Sequence, residues 1–328
     1  MIKFSAKIQA IEYCLGEIKE DNLLLKRDNP DWRMDDIESK TGVSQRWICK
    51  DSTTAVDLAC KACEEIFNKI SKDKIDTLIL VTQSADYFLP TSACILQDRL
   101  SLSKSTKCFD INLGCSGFVY GLSVASSFIE SGFGSNVLLV CADTYSKYID
   151  KHDRTNRPIF SDAASATLVV KSNQQDIGPF LMGTDGSGYN HLIVENGASK
   201  SKYSCVDGRP KLHMNGSSVF MFTISEIPHN INQLLKEANT KKEDVGMYIF
   251  HQASKIVLDS LKENLNIENN KFFYNSKYIG NTVSSSIPIA LKEASNTSAI
   301  SEGDLILISG FGVGLSWGSC LLNWREFL

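Results

Sequence analysis

The sequence predicts a layered α/β protein built from two similar halves. Three observations predict it. Short, continuous apolar runs of the kind buried on both faces of a parallel sheet alternate with helical patterns. That alternation occurs twice, on either side of a polar middle stretch. At matching places in the two runs, a turn carries a cysteine in the first and an asparagine in the second. With 328 residues, 43% hydrophobic and 22% charged, the chain can bury a core of that size.

Taken in order, Lys3–Ile11 alternates in polarity and predicts an opening strand. Residues 21–50 are polar, with a turn at Asn29-Pro30 and a short helix from Trp32 to Ser39. Residues 53–70 form an amphipathic helix. Cys60 and Cys63 read as core-facing residues on it, since no second pair completes a zinc site. A buried strand at 75–82 follows, and Pro90 opens a helix through Leu100. Phe109 begins another strand, which runs into Gly114-Cys115 and directly into a helix over 116–131 that Gly132 stops. This helix carries apolar residues on one face and Gly or Ser on the others, so burial nearly all round is expected. Cys115 therefore stands at a helix N-terminus, where the helix dipole is expected to favour a thiolate. The competing reading is a small buried hydrophobe. A strand at 136–142 closes the first run.

Residues 143–215 read as irregular. The second run then has a helix at 217–238, a strand at 245–250, a helix at 253–264 and a short strand at 271–274. A turn at Gly280-Asn281 precedes a helix to about 295, near whose start, or at whose kink, Pro288 stands. A strand at 304–309 leads into a glycine-rich loop, Ser309–Gly318. Cys115 lies 39 residues beyond Asp76, and Asn281 lies 37 beyond Asp244. Two halves of this kind, packed about a pseudo-twofold axis, would bring Cys115 and Asn281 to one central site.

The net charge of −4 and the absence of a basic stripe argue against nucleic-acid binding. No apolar run is long enough to span a membrane. The first residues lack the pattern of a secretory signal, so a cytoplasmic location with reduced cysteines is expected. His251 ends the apolar run 245–250, the end of a buried strand where open α/β folds place their chemistry. On its own it reads rather as a core or surface histidine. Asn281 has the plain alternative of a helix cap. The loop at 309–318 can bring backbone N–H groups close to a substrate oxygen.

Cys-Ser-Gly-Phe at 115–118, His-Gln-Ala at 251–253, Gly-Asn-Thr…Ser-Ile-Pro at 280–288 and Phe-Gly-Val-Gly…Trp-Gly at 311–318 stand in this order along the chain. With them, the sequence resembles the β-ketoacyl-[acyl-carrier-protein] synthase III family of the thiolase superfamily over almost its whole length. The resemblance implies a thiolase-like αβαβα fold, with residues 1–172 carrying the nucleophile and 173–328 the histidine and asparagine. It implies a decarboxylative Claisen condensation of an acyl-CoA primer, held on Cys115, with a malonyl thioester, malonyl-ACP or malonyl-CoA. In that chemistry His251 and Asn281 stabilise the enolate, and the backbone N–H groups of Cys115 and Val313 form the oxyanion hole. Lys40 and Arg154 match CoA-contacting positions. Leu89 matches a residue that enters the partner's acyl pocket, so a homodimer is implied, with no cofactor and no metal. Val313 stands where the family usually has glycine, and Ile256 and Met221 stand where it often has basic residues. A non-decarboxylating acyltransferase and a non-catalytic partner subunit are the alternatives.

Overall fold

In the computed structural model, which describes residues 5–195, 197–199 and 211–327, two β-sheets and three helical layers alternate. Residues 3–4 of the expected opening strand, and residues 196 and 200–210 of the polar middle, lie outside the described residues. The strands of the two sheets are β1 (Ser5–Leu15), β2 (Thr77–Val81), β3 (Lys107–Ile111), β4 (Asn136–Asp143), β5 (Ala163–Ser172), β6 (Ile177–Thr184), β7 (Met247–Phe250), β8 (Leu305–Gly312) and β9 (Ser316–Asn323). The main helices are α1 (Ala55–Phe67), α2 (Ser92–Arg99), α3 (Gly117–Glu130), α4 (Gly216–Glu237), α5 (Lys255–Asn264) and α6 (Ser286–Asn296).

The first sheet has the order β1-β5-β4-β2-β3, and the second has β7-β8-β9-β6. Strand β2 pairs in parallel with β4, β4 antiparallel with β5, and β5 antiparallel with β1. In the second sheet β7, β8, β9 and β6 repeat those three steps with the same senses. The place of β3 is there reduced to one parallel bridge between Tyr248 and Phe272, so the strand expected at 271–274 does not form. A three-residue helical turn, Asn269–Lys271, occupies the approach to it instead.

Strand periodicity explains the layering. Leu78 and Leu80 face one side of β2 and pack with α1 and α2, while Ile79 and Val81 face the other. That second face joins α3 and α6 and the inner face of the second sheet, through Ile249, Ile306 and Ile308. The outer face of the second sheet packs Tyr248, Phe250 and Leu307 against α4 and α5. Helix α3 lies between the sheets and buries Phe118, Val119, Leu122, Ala125 and Ile129, but Tyr120, Ser123 and Val124 are half-buried and Ser127 is exposed, so the expected burial nearly all round is not reached. Cys60 and Cys63 are both buried in the α1 layer, and every described cysteine is free.

Two expectations are corrected. The polar middle holds two long strands, β5 and β6. Strand β5 begins Ala163-Ala-Ser-Ala-Thr, small residues of weak hydropathy, yet it lies between two other strands and is buried along most of its length. The glycine-rich stretch 309–318 is a β-hairpin, with only residues 313–315 left as its turn. Its glycines mark close approach: a Cβ on Gly310 would lie 2.8 Å from the Cys115 carbonyl oxygen.

Candidate active site

Cys115 lies between the end of β3 and the start of α3 and is 5% exposed. Strand β8 passes directly over it, and a Cβ on Gly312 would stand 2.9 Å from its sulfur. Tyr145, Phe160 and Val283 pack in the same cluster, with Val313 at its border. The Tyr145 hydroxyl donates to Gln83 Oε1 at 2.6 Å, which fixes the ring beside Gly114.

The expected depression of the Cys115 thiol does not occur. Burial, and next the negative charge of Asp143, push it up to about 12. Hydrogen bonds from the backbone N–H groups of Val313 and of Cys115 itself pull the other way. These do not outweigh desolvation.

His251 follows β7, and its backbone N–H donates to the Ser309 carbonyl of β8 at 2.8 Å. The ring stands edge-on to Phe311, with centroids 5.7 Å apart, and its Nδ1 lies 2.6 Å from Ser286 Oγ. Burial lowers its pKa to about 3, against a weaker opposing hydrogen bond with the Val283 backbone, so the imidazole is neutral at neutral pH. Asn281 Nδ2 lies 3.4 Å from His251 Nε2. The Val283 N–H donates to Asn281 Oδ1 at 2.9 Å, which identifies the oxygen end of the amide and leaves the NH2 end toward the histidine. The Asn281 backbone is tied to the 159–161 segment on both sides: its N–H donates to the Ile159 carbonyl, and its carbonyl accepts from Ser161 N–H. Asn281 is not the cap of α6, because a short helical turn, Val283–Ser285, intervenes.

Strand β8 thus touches both groups, with Gly310 and Gly312 against Cys115 and Ser309 and Phe311 against His251. A cavity of about 830 Å³ is lined by Tyr145, Leu192, Leu212 and Val313 among others, four residues that pack with Cys115; Cys115, His251 and Asn281 themselves do not line it. Of these lining residues, Val313 has its Cγ1 against Gly114, 2.9 Å from where a Cβ on that glycine would stand. Leu89 is 87% exposed and lines no part of that cavity. Lys40 and Arg154 are exposed and lie outside the buried cluster. Lys255 is held by Asp259 on its own helix.

The sequence reading missed Gln83, Asp143, Tyr145, Ser284 and Ser286. Only Asp143 carried a signal, as a carboxylate directly ending the apolar run 137–142. No group of His, Cys, Asp and Glu suited to a metal ion occurs among the described residues.

Comparison with known proteins places this geometry in context. Residues 109–186 match the family model for 3-oxoacyl-[acyl-carrier-protein (ACP)] synthase III, and residues 235–324 match the model for its C-terminal region. A β-ketoacyl-[acyl-carrier-protein] synthase III of Clostridioides difficile is 36% identical over 88% of this chain and 89% of its own. A crystal structure of a 3-oxoacyl-(acyl-carrier-protein) synthase III superposes with a TM-score of 0.95 at 39% identity, covering 98% of this chain and all of the other. The enzyme of the same name from Aquifex aeolicus superposes with a TM-score of 0.88 at 33% identity, over 97% of this chain and all of its own. The fold is thiolase-like, with two pseudo-symmetric halves.

Proposed function

The chain belongs to the 3-oxoacyl-[acyl-carrier-protein] synthase III family, and we propose on that premise that it condenses an acyl-CoA primer with malonyl-ACP, releasing CO2 and a β-ketoacyl product. In the first half-reaction the Cys115 sulfur attacks the primer's thioester carbon. The bond from that carbon to the CoA sulfur breaks, and the thiol proton finishes on the departing CoA. The thiol is protonated at neutral pH, so its proton leaves as the carbon–sulfur bond forms. The N–H groups of Cys115 and Val313, already aimed at the sulfur's surroundings, receive the developing oxyanion.

In the second half-reaction the malonyl carbon–carbon bond breaks and CO2 departs. The electron pair moves into the thioester as an enolate. Its oxygen is received by His251 Nε2 and Asn281 Nδ2, two neutral nitrogens 3.4 Å apart. The enolate carbon then attacks the acyl carbon on Cys115, and the sulfur leaves and regains a proton. This neutral histidine–asparagine pair is the observation that carries the reading. Decarboxylation removes no proton, so it calls for hydrogen-bond donors rather than a base. The test is CO2 release from labelled malonyl-ACP in the presence of acyl-CoA. Product formed without CO2 would overturn the reading.

We further propose a homodimer in the cytoplasm, with Lys40 and Arg154 contacting CoA and a division between halves at 172/173. The division is supported by β5 ending at Ser172 and β6 beginning at Ile177. The dimer is supported by β3, which has a partner strand on one side only among the described residues, and by the exposed run Tyr87, Phe88 and Leu89. No helix among the described residues is long and apolar enough to cross a membrane.

A further inference from the structure

Asp143, at the end of β4, is fully buried, and the chemistry above makes no use of it. Its Oδ1 accepts the Gln83 N–H at 2.9 Å. Its Oδ2 accepts the Ser284 hydroxyl at 2.5 Å and the Ser284 N–H at 3.3 Å. Gln83 belongs to the cysteine's side of the site, since its Oε1 holds Tyr145 and abuts Gly114. Ser284 belongs to the turn from Asn281 to Ser286 that carries the enolate donor and the histidine's partner.

That turn contains Val283 at φ +53°, a conformation a β-branched residue adopts only when its surroundings impose it. Three consecutive serines impose it, each by a different contact. Ser284 donates to Asp143, Ser285 donates to the Cys141 carbonyl at 2.9 Å, and Ser286 lies against His251 Nδ1. Two of these three contacts reach β4, and Asp143 is the one that brings a charge.

We propose that Asp143 is a positioning residue that joins the two half-sites, one oxygen holding the Gln83 segment beside Cys115 and the other clamping the Asn281–Ser286 turn through Ser284. The inference rests on the condensing reading above for the role of that turn, but not for the effect on Cys115. The ionisable groups coupled to Asp143 are Asp162, Cys115, Cys141, Tyr145 and Tyr148, none of them cationic. Burial raises the Asp143 carboxyl to about 7, against the lowering effect of its donors. Where that carboxyl is ionised, its charge opposes a thiolate nearby.

The clamp predicts effects of opposite sign on the two halves, which simple loosening would not produce. Asp143→Asn keeps the shape and removes the charge. Alkylation of Cys115 by iodoacetamide in the free enzyme, read by mass spectrometry at pH 8, should rise several-fold. Decarboxylation of malonyl-ACP by the acylated variant should fall at least ten-fold, with acylation of Cys115 no slower than in the wild type. Ser284→Ala keeps the carboxylate and removes only the hydroxyl tie. It should lose decarboxylation in the same direction, with a smaller change in alkylation. Alkylation needs neither primer nor malonyl group, so it tests the charge coupling whatever the reaction is. Unchanged alkylation in Asp143→Asn, or its equal loss with decarboxylation, would overturn the proposal. If Asp143→Asn does not fold, wild-type decarboxylation by Ser284→Ala would overturn it alone.

Discussion

At Cys115 two effects of known sign compete. A helix N-terminus favours a thiolate by at most about 2 kcal/mol in partly buried settings. Removal of the sulfur from water, with a carboxylate nearby, works against it and wins. At His251 burial acts without a competing charge and leaves the ring neutral. The sign for stability follows from the two states. The unfolded chain binds a proton on this ring below about 6.5, whereas the folded protein does not until about 3, so stability is lost as pH falls through that window. Urea midpoints of the wild type should therefore fall more between pH 7 and pH 5 than those of His251→Gln; equal slopes would refute the assignment. The roles also divide by step. Cys115→Ala should form no acyl adduct. His251→Ala and Asn281→Ala should acylate but lose about 10²–10³ in malonyl decarboxylation, the usual effect of removing one such donor. Intact-mass and CO2 measurements separate these outcomes. Val313 lines the cavity and packs against the cluster that holds Cys115. A methylene-sized misfit is worth about 1–3 kcal/mol. Val313→Gly should therefore raise the share of α-branched primers on Cys115 roughly ten-fold in a mixed acyl-CoA panel, as counted by adduct mass.

Among the elements, the β8–β9 hairpin does most to assemble the candidate site, since one strand contacts both Cys115 and His251. That is possible because Gly310 and Gly312 lack side chains where β8 crosses Cys115. A Cβ on Gly312 would meet both the Cβ and the sulfur of that residue, at 2.8 and 2.9 Å. These distances are shorter than packing permits, so strand or cysteine must shift, and such overpacking costs about 1–3 kcal/mol. Gly312→Ala should slow acylation of Cys115 at least ten-fold while leaving the protein folded, measurable as the rate of adduct formation beside an unchanged circular dichroism spectrum. Gly280 has a related role at the other donor. It adopts φ +76°, and a Cβ there would strike Ser161 Oγ, the hydroxyl that donates to the Ile279 carbonyl. The glycine and the serine fit each other, and between them they hold Asn281 in register.

For the whole molecule, the repeated topology explains why the reactive groups come from residues so far apart in sequence. The two sheets run the same pairing steps, so the segments after β3 and before α6 occupy matching places between them. The outer side of β3 and the exposed Tyr87–Leu89 run remain to be covered, and a second copy of the chain is the occupant proposed here. Sedimentation equilibrium should give twice the monomer mass. Leu89→Ala should then shift the preferred primer length, because its side chain lies outside its own cavity. A monomer with full activity would contradict both.

Much of this was legible in the residue order. Continuous apolar runs marked the central strands and a period of 3.6 marked most helices, because a strand buried on both faces is apolar throughout and a helix that buries one face shows it in sequence. The matched spacing to Cys115 and Asn281 disclosed the two halves. Strands β5 and β6 were not legible. The Ala, Ser and Thr residues of β5 are buried by neighbours on both sides rather than by their own hydropathy, and β6, with Gly and Pro in its run, is an edge strand held among the described residues by β9 alone. The thiol of Cys115 could not be judged from its helix alone, since the desolvation that raises it comes from β8 and the charge from β4. Nor could the serines at 284–286 be told apart. The sequence shows three identical residues, and only the packing of their turn against β4 and His251 assigns each hydroxyl a different partner.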